Sequence, residues 1–135
     1  MFAFANAKRE GDMTYSEFRY LWNVREVEKD NVARLRDITK VMTVTKVSVF
    51  RALERLEKGG YVQKNNDRKI FLTEKGRVFL EEYEQAIFFL KQKLLAYAGL
   101  EDCTAQEEAM RLVCVLSDKS RKMIVRAWQK RKGKL

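Results

Sequence analysis

Apolar residues recur every three or four positions through most of this 135-residue chain, and in one short interval they alternate with polar residues. The first spacing places apolar side chains on one face of a helix, whereas alternation is typical of a strand with one buried face. The pattern predicts helices over residues 14–27, 33–42, 45–58, 74–97, 104–116 and from 117 onward. It predicts strands over residues 61–64 and 69–72. The helix over residues 74–97 is predicted to bury a continuous apolar stripe that consists of Val78, Phe79, Tyr83, Ile87, Leu90, Leu94 and Leu95.

Hydroxyl residues mark the predicted helix starts. Residues 14–17 and 104–107 each fit a capping box, in which a threonine and a glutamate satisfy free backbone amides at a helix N-terminus. Thr45 and Thr73 are the predicted N-caps of the third and fourth helices. The glycine pair at residues 59–60 ends the third helix, because glycine readily adopts the left-handed conformation of a C-cap.

The order of these elements predicts a winged helix-turn-helix. Helices 33–42 and 45–58 are separated by a short turn, and the hairpin that follows has its tip at residues 65–68. In this arrangement the second helix of the pair enters the DNA major groove. We therefore predict a mainly α fold with a small two-stranded β wing. It comprises a DNA-binding domain over residues 1–73 and a helical dimerisation region over residues 74–135.

The third helix has an apolar side and a polar side. The spacing assigns the apolar side to Val44, Val49, Leu53 and Leu56. On the other side, short hydroxyls near the positive helix end suit phosphate contacts, and an apolar Val47 or Phe50 suits the methyl group of thymine. Cations at the wing tip suit the adjacent DNA backbone or minor groove. The predicted DNA-contacting residues are Arg34, Arg36, Thr45, Lys46, Val47, Ser48, Phe50, Arg51, Lys64, Arg68 and Lys69.

The net charge of +9 is concentrated in two blocks. Residues 31–70 carry ten basic and four acidic side chains, and residues 119–135 carry eight basic and no acidic ones. Residues 71–118 carry nine acidic and five basic side chains. This distribution indicates a region in the middle of the chain that faces a polyanion. For the basic last helix we expect a solvated polar face and a dimer-packing apolar face, rather than a second DNA contact.

The sequence lacks the residues on which most catalytic sites depend. Histidine, the commonest general base and metal ligand, is absent. Cys103 and Cys114 lie eleven residues apart, a spacing that fits neither a disulfide framework nor a zinc ribbon, so both are expected to be free thiols. We therefore expect a protein that is not an enzyme.

Membrane and export signals are also missing from the pattern. Apolar runs such as residues 86–90 are far shorter than the roughly 20 residues of a membrane helix. The first ten residues lack a basic region followed by a full apolar region, as a signal peptide has. We therefore expect a cytoplasmic location and no membrane partner.

A resemblance to a known family is carried by the stretches LRDITKVMTVTKVSVFRALERLEKGGYVQ and FLTEKGRVFLEEY. They are similar to the winged helix shared by MarR-type regulators and by iron- and manganese-dependent repressors of the diphtheria toxin repressor and MntR type. A later stretch, LLAYAGLEDCTAQEEAMRLVCVLSD, resembles the dimerisation helices of the metal-dependent repressors. The resemblance implies a homodimeric repressor that binds two half-sites of double-stranded DNA about one turn apart.

The metal ligands that the resemblance implies are largely absent. The family's glutamate-histidine pair falls on Val113 and Cys114, with Met110 one turn earlier, and no histidine lies near Ile87. Glu17 matches a carboxylate ligand in the first helix, unless the alignment there shifts by four residues. Since manganese and iron prefer carboxylate and imidazole ligands, we expect no metal site and no cofactor, and either ion is implied by the resemblance alone. Met110 and Cys114 share one helix face, which suits a soft ion such as Cu(I), although packing in a helix interface explains both residues.

The helices after the wing supply the predicted dimer surface. Its candidate residues are Phe88, Phe89, Leu95, Leu112, Val115 and Leu116. The resulting hypothesis is a sequence-specific DNA-binding regulator, acting as a repressor and a homodimer, with a degenerate metal site. Two alternatives stay open: a repressor activated by metal at an unusual site containing methionine and cysteine, and a winged-helix module that binds an acidic protein.

Overall fold

The computed structural model describes residues 13–132. They form the helices α1 (Tyr15–Val27), α2 (Leu35–Met42), α3 (Lys46–Lys58), α4 (Glu74–Phe89), α5 (Asp102–Val115) and α6 (Asp118–Lys132). They also form the strands β1 (Ala33–Arg34), β2 (Val62–Lys64) and β3 (Lys69–Leu72). The predicted mainly helical fold with a β wing is confirmed. The first twelve residues of the predicted domain 1–73 and the last three of the region 74–135 lie outside the described residues.

Three of the predicted helix caps are present. The side-chain oxygens of Thr14, Thr45 and Thr73 each accept a hydrogen bond from the backbone N–H three residues later, at 3.0–3.1 Å. Each bond satisfies an amide that has no partner inside its helix. The starts of α1, α3 and α4 are therefore set by local sequence.

The fifth helix starts earlier than predicted. α5 begins at Asp102, so Thr104 lies inside the first turn and not at the N-cap. Glu101 is the extended residue before the helix, and Lys91 Nζ lies 2.9 Å from Asp102 Oδ1. This pair holds a carboxylate at the positive end of the helix, which favours the earlier start.

The predicted two-stranded hairpin is present as β2 and β3, and a third strand, β1, joins it to form a three-stranded sheet. The strand order is β1-β3-β2, and both pairs are antiparallel. Apolar spacing predicts a helix from residue 33, but residues 33–34 are extended and pair with residues 69–70 of β3. Leu35 N then donates to Arg68 O at 3.2 Å. The hydrogen-bonding edge of β3 therefore draws two residues out of the predicted helix, and α2 begins at Leu35.

A continuous core joins the winged helix to the helices behind it. Phe18 of α1, Leu53 of α3, Leu80 and Ile87 of α4 and Val113 of α5 are all fully buried. Each such side chain stabilises the fold by about 1.5–3 kcal/mol relative to exposure. Among residues 13–132, none of the helices combines the length and apolar character that crossing a bilayer requires.

The long helix after the wing changes its pitch before it ends. α4 continues as a π-helical segment over Leu90–Leu95, and Gly99, with φ +94°, terminates it. Because a π turn holds more residues than an α turn, the apolar register shifts in this segment. Leu95 packs against the core, whereas Leu94, predicted on the buried stripe, is 52% exposed. Val78, predicted on the same stripe, is also exposed and borders a groove between α4 and α6.

α6 packs along α4 through a buried cation. Arg121 is 8% exposed, and its Nε lies 3.5 Å from Glu82 Oε1, while its guanidinium also pairs with Asp118. Farther along the helix, the ring of Trp128 lies 6.0 Å from that of Phe88. The apolar side of α6, which is predicted to pack in the dimer, thus packs on α4 of the same chain.

A row of rings connects α6 to the base of the wing. The Arg121 guanidinium lies 4.3 Å from the centroid of Tyr83, which stacks on Phe79 at 4.1 Å. Phe79 in turn meets Tyr61 edge-on at 5.0 Å, and Tyr61 immediately precedes β2. Such pairs contribute about 0.5–1.5 kcal/mol each beyond their burial.

The first turn of α4 lies directly on the wing base. A Cβ atom on Gly76 would lie 2.2 Å from Tyr61 O, far inside van der Waals contact. Tyr61 O also accepts a hydrogen bond from Thr73 N at 3.0 Å, and Thr73 Oγ1 donates to Gly60 O at 2.6 Å. Only a residue without a side chain fits between these two stretches of backbone.

We predict that Gly76→Ala destabilises the protein by about 1–3 kcal/mol, because the added methyl group meets backbone that is held by hydrogen bonds. Helix propensity alone predicts the opposite sign, since alanine is about 0.5–1 kcal/mol more favourable than glycine within a helix. Urea unfolding followed by circular dichroism measures the difference. Glu74→Ala, an exposed change in the same turn, is the control and should cost less than about 1 kcal/mol. A Gly76→Ala variant as stable as the wild type would contradict the close approach.

Candidate nucleic-acid interface

α3 turns one side to the core and the other to solvent. The predicted residues Val49, Leu53 and Leu56 are buried, and Val44 packs partly against the core. Ala52, which was not predicted, is also fully buried. The exposed side carries Lys46, Val47, Ser48, Phe50 and Arg51. Val47 is 60% exposed and Phe50 is 48% exposed, so this side presents apolar as well as cationic groups. A ligand that meets this face would encounter both.

The two hydroxyls at the start of α3 are bonded to each other. Thr45 Oγ1 accepts from Ser48 N at 3.1 Å and donates to Ser48 Oγ at 2.9 Å. The proton of the Ser48 hydroxyl is not used in this pair and remains available to an external acceptor. Thr45, predicted to contact DNA, therefore serves first as the helix cap.

Asn65 shapes the tip of the wing. Its Oδ1 accepts from the backbone N–H groups of Asp67, at 3.0 Å, and of Lys69, at 3.1 Å. Arg68 adopts the left-handed conformation, with φ +59°, and its side chain is exposed. The predicted wing-tip cations are thus carried on a hydrogen-bonded turn.

Five of the predicted DNA-contacting residues meet at a cavity between the wing tip and the starts of α2 and α3, which we name the basic cleft. Its volume is about 210 Å³, and it is lined by Arg34, Leu35, Arg36, Lys46, Asp67, Arg68 and Lys69. Five of these side chains are cationic and one is a carboxylate. This balance favours an anion such as a phosphate group. The other predicted residues lie outside the lining, at the N-cap Thr45, on α3 and at Lys64 of β2.

The wing is tied to α3 through Lys64. Glu57 Oε2 accepts from Lys64 N at 3.0 Å, and Lys64 Nζ lies 4.2 Å from the centroid of the Phe50 ring. The ring predicted to pack on a thymine methyl is therefore covered on one side by a cation. The hydrogen bond from Lys64 N to Glu57 was not predicted, because no local signal in the sequence links a residue late in α3 to the backbone of β2.

The predicted dimer residues differ in their exposure. Val115 is 78% exposed and Phe88 is 37% exposed. Four are only partly exposed: Phe89, Leu95, Leu112 and Leu116. Other large apolar side chains in the region after the wing are more exposed than most of the predicted set: Leu94, Tyr97 and Met123. The dimer surface therefore stays a prediction.

The residues at the predicted family metal site do not fit a divalent ion. Val113 is apolar and fully buried, and burial raises the pKa of the Cys114 thiol to about 12, against the opposing effect of the Arg121 guanidinium. Val113 has no donor atom, and Cys114 supplies a thiol in place of the family's histidine, whereas manganese and ferrous ions prefer carboxylate and imidazole ligands. Glu17 Oε1 accepts from Thr14 Oγ1 at 3.0 Å within the helix cap. Between residues 13 and 132, the structure brings together no group of three or more histidine, cysteine, aspartate or glutamate side chains that could hold a metal.

Comparison with known proteins agrees with this architecture. Residues 13–76 match a family model described as a winged helix DNA-binding domain. These residues are a winged-helix domain. A stretch of 64 residues is 33% identical to part of the riboflavin kinase of Pyrococcus furiosus and covers 45% of this chain. The chain spans only 30% of the length of that relative.

Two solved structures resemble the winged-helix domain together with the helices behind it. A hypothetical protein from Sulfolobus solfataricus has 21% identity and a TM-score of 0.69, over 87% of this chain and 91% of that one. IdeR of T. acidophilum has 21% identity and a TM-score of 0.61, over 95% of this chain and 55% of that one. At such identities both likenesses show the fold alone.

We predict that Phe50 and Lys64 stabilise the winged-helix domain as a pair. A double-mutant cycle of Phe50→Leu and Lys64→Met, followed by urea unfolding, should give a coupling of about 0.5–1 kcal/mol, the range of an exposed cation–π contact. Leucine and methionine keep most of the apolar packing, so the coupling isolates the interaction of charge with ring. If the changes in unfolding free energy of the two single variants add in the double variant, the contact between the cation and the ring does not stabilise the wing.

A second prediction concerns the thiols. At pH 8, Ellman's reagent should modify one thiol in each folded chain, because Cys103 is exposed whereas Cys114 has a pKa of about 12. Peptide mapping by mass spectrometry should locate the modification at Cys103, and Cys103→Ser should abolish it. Cys114 should react once urea unfolds the chain. Equal reaction rates for the two thiols in the folded protein would contradict the burial of Cys114.

Proposed function

We propose that this chain is a transcriptional regulator that binds a specific sequence of double-stranded DNA through α3 and the wing, and that it acts as a homodimeric repressor. The observation that carries the proposal is the basic cleft, which lies beside the exposed side of α3. The description of the matching family, a winged helix DNA-binding domain, supports it.

The proposed contacts divide by chemistry. The cations of the basic cleft bind phosphates, and so position the domain on the duplex. Ser48 and Arg51, on the exposed side of α3, reach base edges or phosphates in the major groove. Val47 is the best placed apolar group for a thymine methyl, because Lys64 covers one face of Phe50. Sequence preference therefore comes from few side chains, while affinity comes mainly from charge.

Homodimerisation gives the proposed regulator two copies of α3. Two recognition helices related by a two-fold axis bind half-sites about 34–36 Å apart, or a multiple of that distance. The exposed apolar groups Phe88 and Val115 are available for the contact between copies. Repression follows if such a site overlaps a promoter, since the bound dimer then blocks access to it.

Metal dependence is not part of this proposal. The buried Val113, which has no donor atom, and the thiol of Cys114 replace the ligand pair that the family resemblance implies. We therefore expect the same DNA affinity in EDTA and in the presence of manganese or ferrous ions.

The test is selection of binding sequences from a random duplex library, followed by fluorescence anisotropy with the selected duplex and a scrambled one. Lys46→Gln/Arg51→Gln should weaken specific binding about 10- to 100-fold and reduce the slope of log affinity against log salt by about 1 for each lost phosphate contact. Arg19→Gln/Lys93→Gln removes the same charge at exposed positions away from the cleft, and should leave the specific affinity unchanged.

The outcomes separate the alternatives. Equal binding to selected and scrambled duplexes would refute sequence specificity, and absence of binding to any duplex would favour a module for an acidic protein. Binding that appears only with a metal ion would overturn the metal-independent proposal. If the protein sediments as a monomer at micromolar concentration, with and without DNA, the proposed homodimerisation is refuted.

A further inference from the structure

One side of α6 carries cations that the interface above does not use. Lys119, Lys122, Arg126 and Lys130 follow one another at steps of three and four residues, so they share one face of the helix. We name this set the α6 stripe. All four side chains are exposed, and Met123, 59% exposed, lies beside them on the helix.

The opposite side of α6 is already occupied. Arg121 and Val125 are each 8% exposed, and Trp128 lies against Phe88 of α4. Since the apolar side packs within the chain, dimer packing no longer explains why α6 is amphipathic. The α6 stripe is the part of the helix that is left for a partner.

The carboxylates near the α6 stripe do not neutralise it. Asp118 pairs with Lys122, at 3.2 Å, and Glu81 borders the same groove as Arg126. Within residues 13–132, neither Lys119, Arg126 nor Lys130 forms an ion pair. Residues 119–135 contain no aspartate or glutamate, so the excess of positive charge persists along the helix.

In a second copy of this chain, several carboxylates on the helices behind the wing are already paired within that copy. On α4, Glu84 pairs with Arg25 at 2.6 Å, and on α5, Glu107 pairs with Arg111 at 3.1 Å. Breaking such pairs would oppose a contact between copies. Binding to a phosphate backbone breaks no ion pair of this kind, because the DNA phosphates are accompanied only by mobile counterions, which are released on binding.

We propose that the α6 stripe binds the phosphate backbone of duplex DNA outside the segment that α3 contacts. α3 packs on α1, α2 and β2 whereas α6 packs on α4, so the two surfaces lie on different elements. Lys122 and Arg126 share a groove with Val78 and Glu81, about 10 Å along α4 from the end of the wing. The α6 stripe is about 16 Å long, and a duplex presents one charge for about every 1.7 Å of its axis.

The proposal rests on the proposed function, and the experiment keeps the two apart. Wild type, Arg126→Gln/Lys130→Gln and the control Arg19→Gln/Lys93→Gln are titrated, between 50 and 200 mM salt, with the selected sequence placed centrally in duplexes of 20 and 40 base pairs. Both variants lose one arginine and one lysine, so a difference between them reports position and not net charge. Sedimentation of each protein without DNA monitors its oligomeric state.

The expected result is that wild type binds the longer duplex more tightly and with a steeper salt slope, and that Arg126→Gln/Lys130→Gln lowers that slope by about 1.8, from about 0.9 for each phosphate contact. The control should retain both the slope and the advantage of the longer duplex. If the two variants show the same salt slope and the same gain in affinity on the longer duplex, the proposal is overturned. A changed oligomeric state with an unchanged slope assigns the α6 stripe to a second copy and also overturns it. Failure of wild type to bind any duplex is a failure of the proposed function itself.

Discussion

The close approach of α4 to the base of the wing is the constraint on which the rest of the structure depends. Gly76 allows the first turn of α4 to lie against Tyr61 O, where a Cβ atom would be 2.2 Å away. This contact fixes the start and direction of α4, and with them the positions of Phe79 and Tyr83 in the aromatic row. α6 docks on that row through Arg121. The positions of the basic cleft and of the α6 stripe relative to one another therefore depend on one residue that has no side chain.

The wing is held from both sides, so the basic cleft exists before any ligand arrives. On one side Leu35 N donates to Arg68 O at 3.2 Å, and on the other Glu57 accepts from Lys64 N at 3.0 Å. The cation of Lys64 lies over Phe50 and adds a contact between wing and helix. Binding to a preformed cleft avoids the entropy cost of ordering its backbone, which leaves more of the electrostatic attraction as affinity.

Much of the fold follows from signals that lie close together in the sequence. Residues 14–17 specify a cap by themselves, and the spacing of Val49 and Leu53 assigns the buried side of α3. The strand at residues 33–34 cannot be predicted in this way, because it forms only where the edge of β3, distant in sequence, is free to pair. The requirement for glycine at position 76 cannot be predicted for the same reason, since the atom that Gly76 approaches is the carbonyl oxygen of Tyr61, outside α4. The DNA-contacting roles stay predictions, because exposure and charge make a surface available without identifying what binds it.

Charged side chains are paired at the helix interfaces behind the wing, whereas cations are in excess in the basic cleft. Behind the wing, cations and carboxylates pair between helices, as Arg25 does with Glu84 at 2.6 Å and Arg77 with Glu28 at 2.7 Å. Both pairs are partly buried, and each leaves no isolated charge in the surface between its helices. In the basic cleft, five cations surround the carboxylate of Asp67, and Arg36 Nε also lies 3.8 Å from Asp37 Oδ1. Cations remain in excess, and their mutual repulsion opposes the folded state. An anion that enters the cleft relieves this repulsion, so the feature that weakens the free domain strengthens its complex with a polyanion.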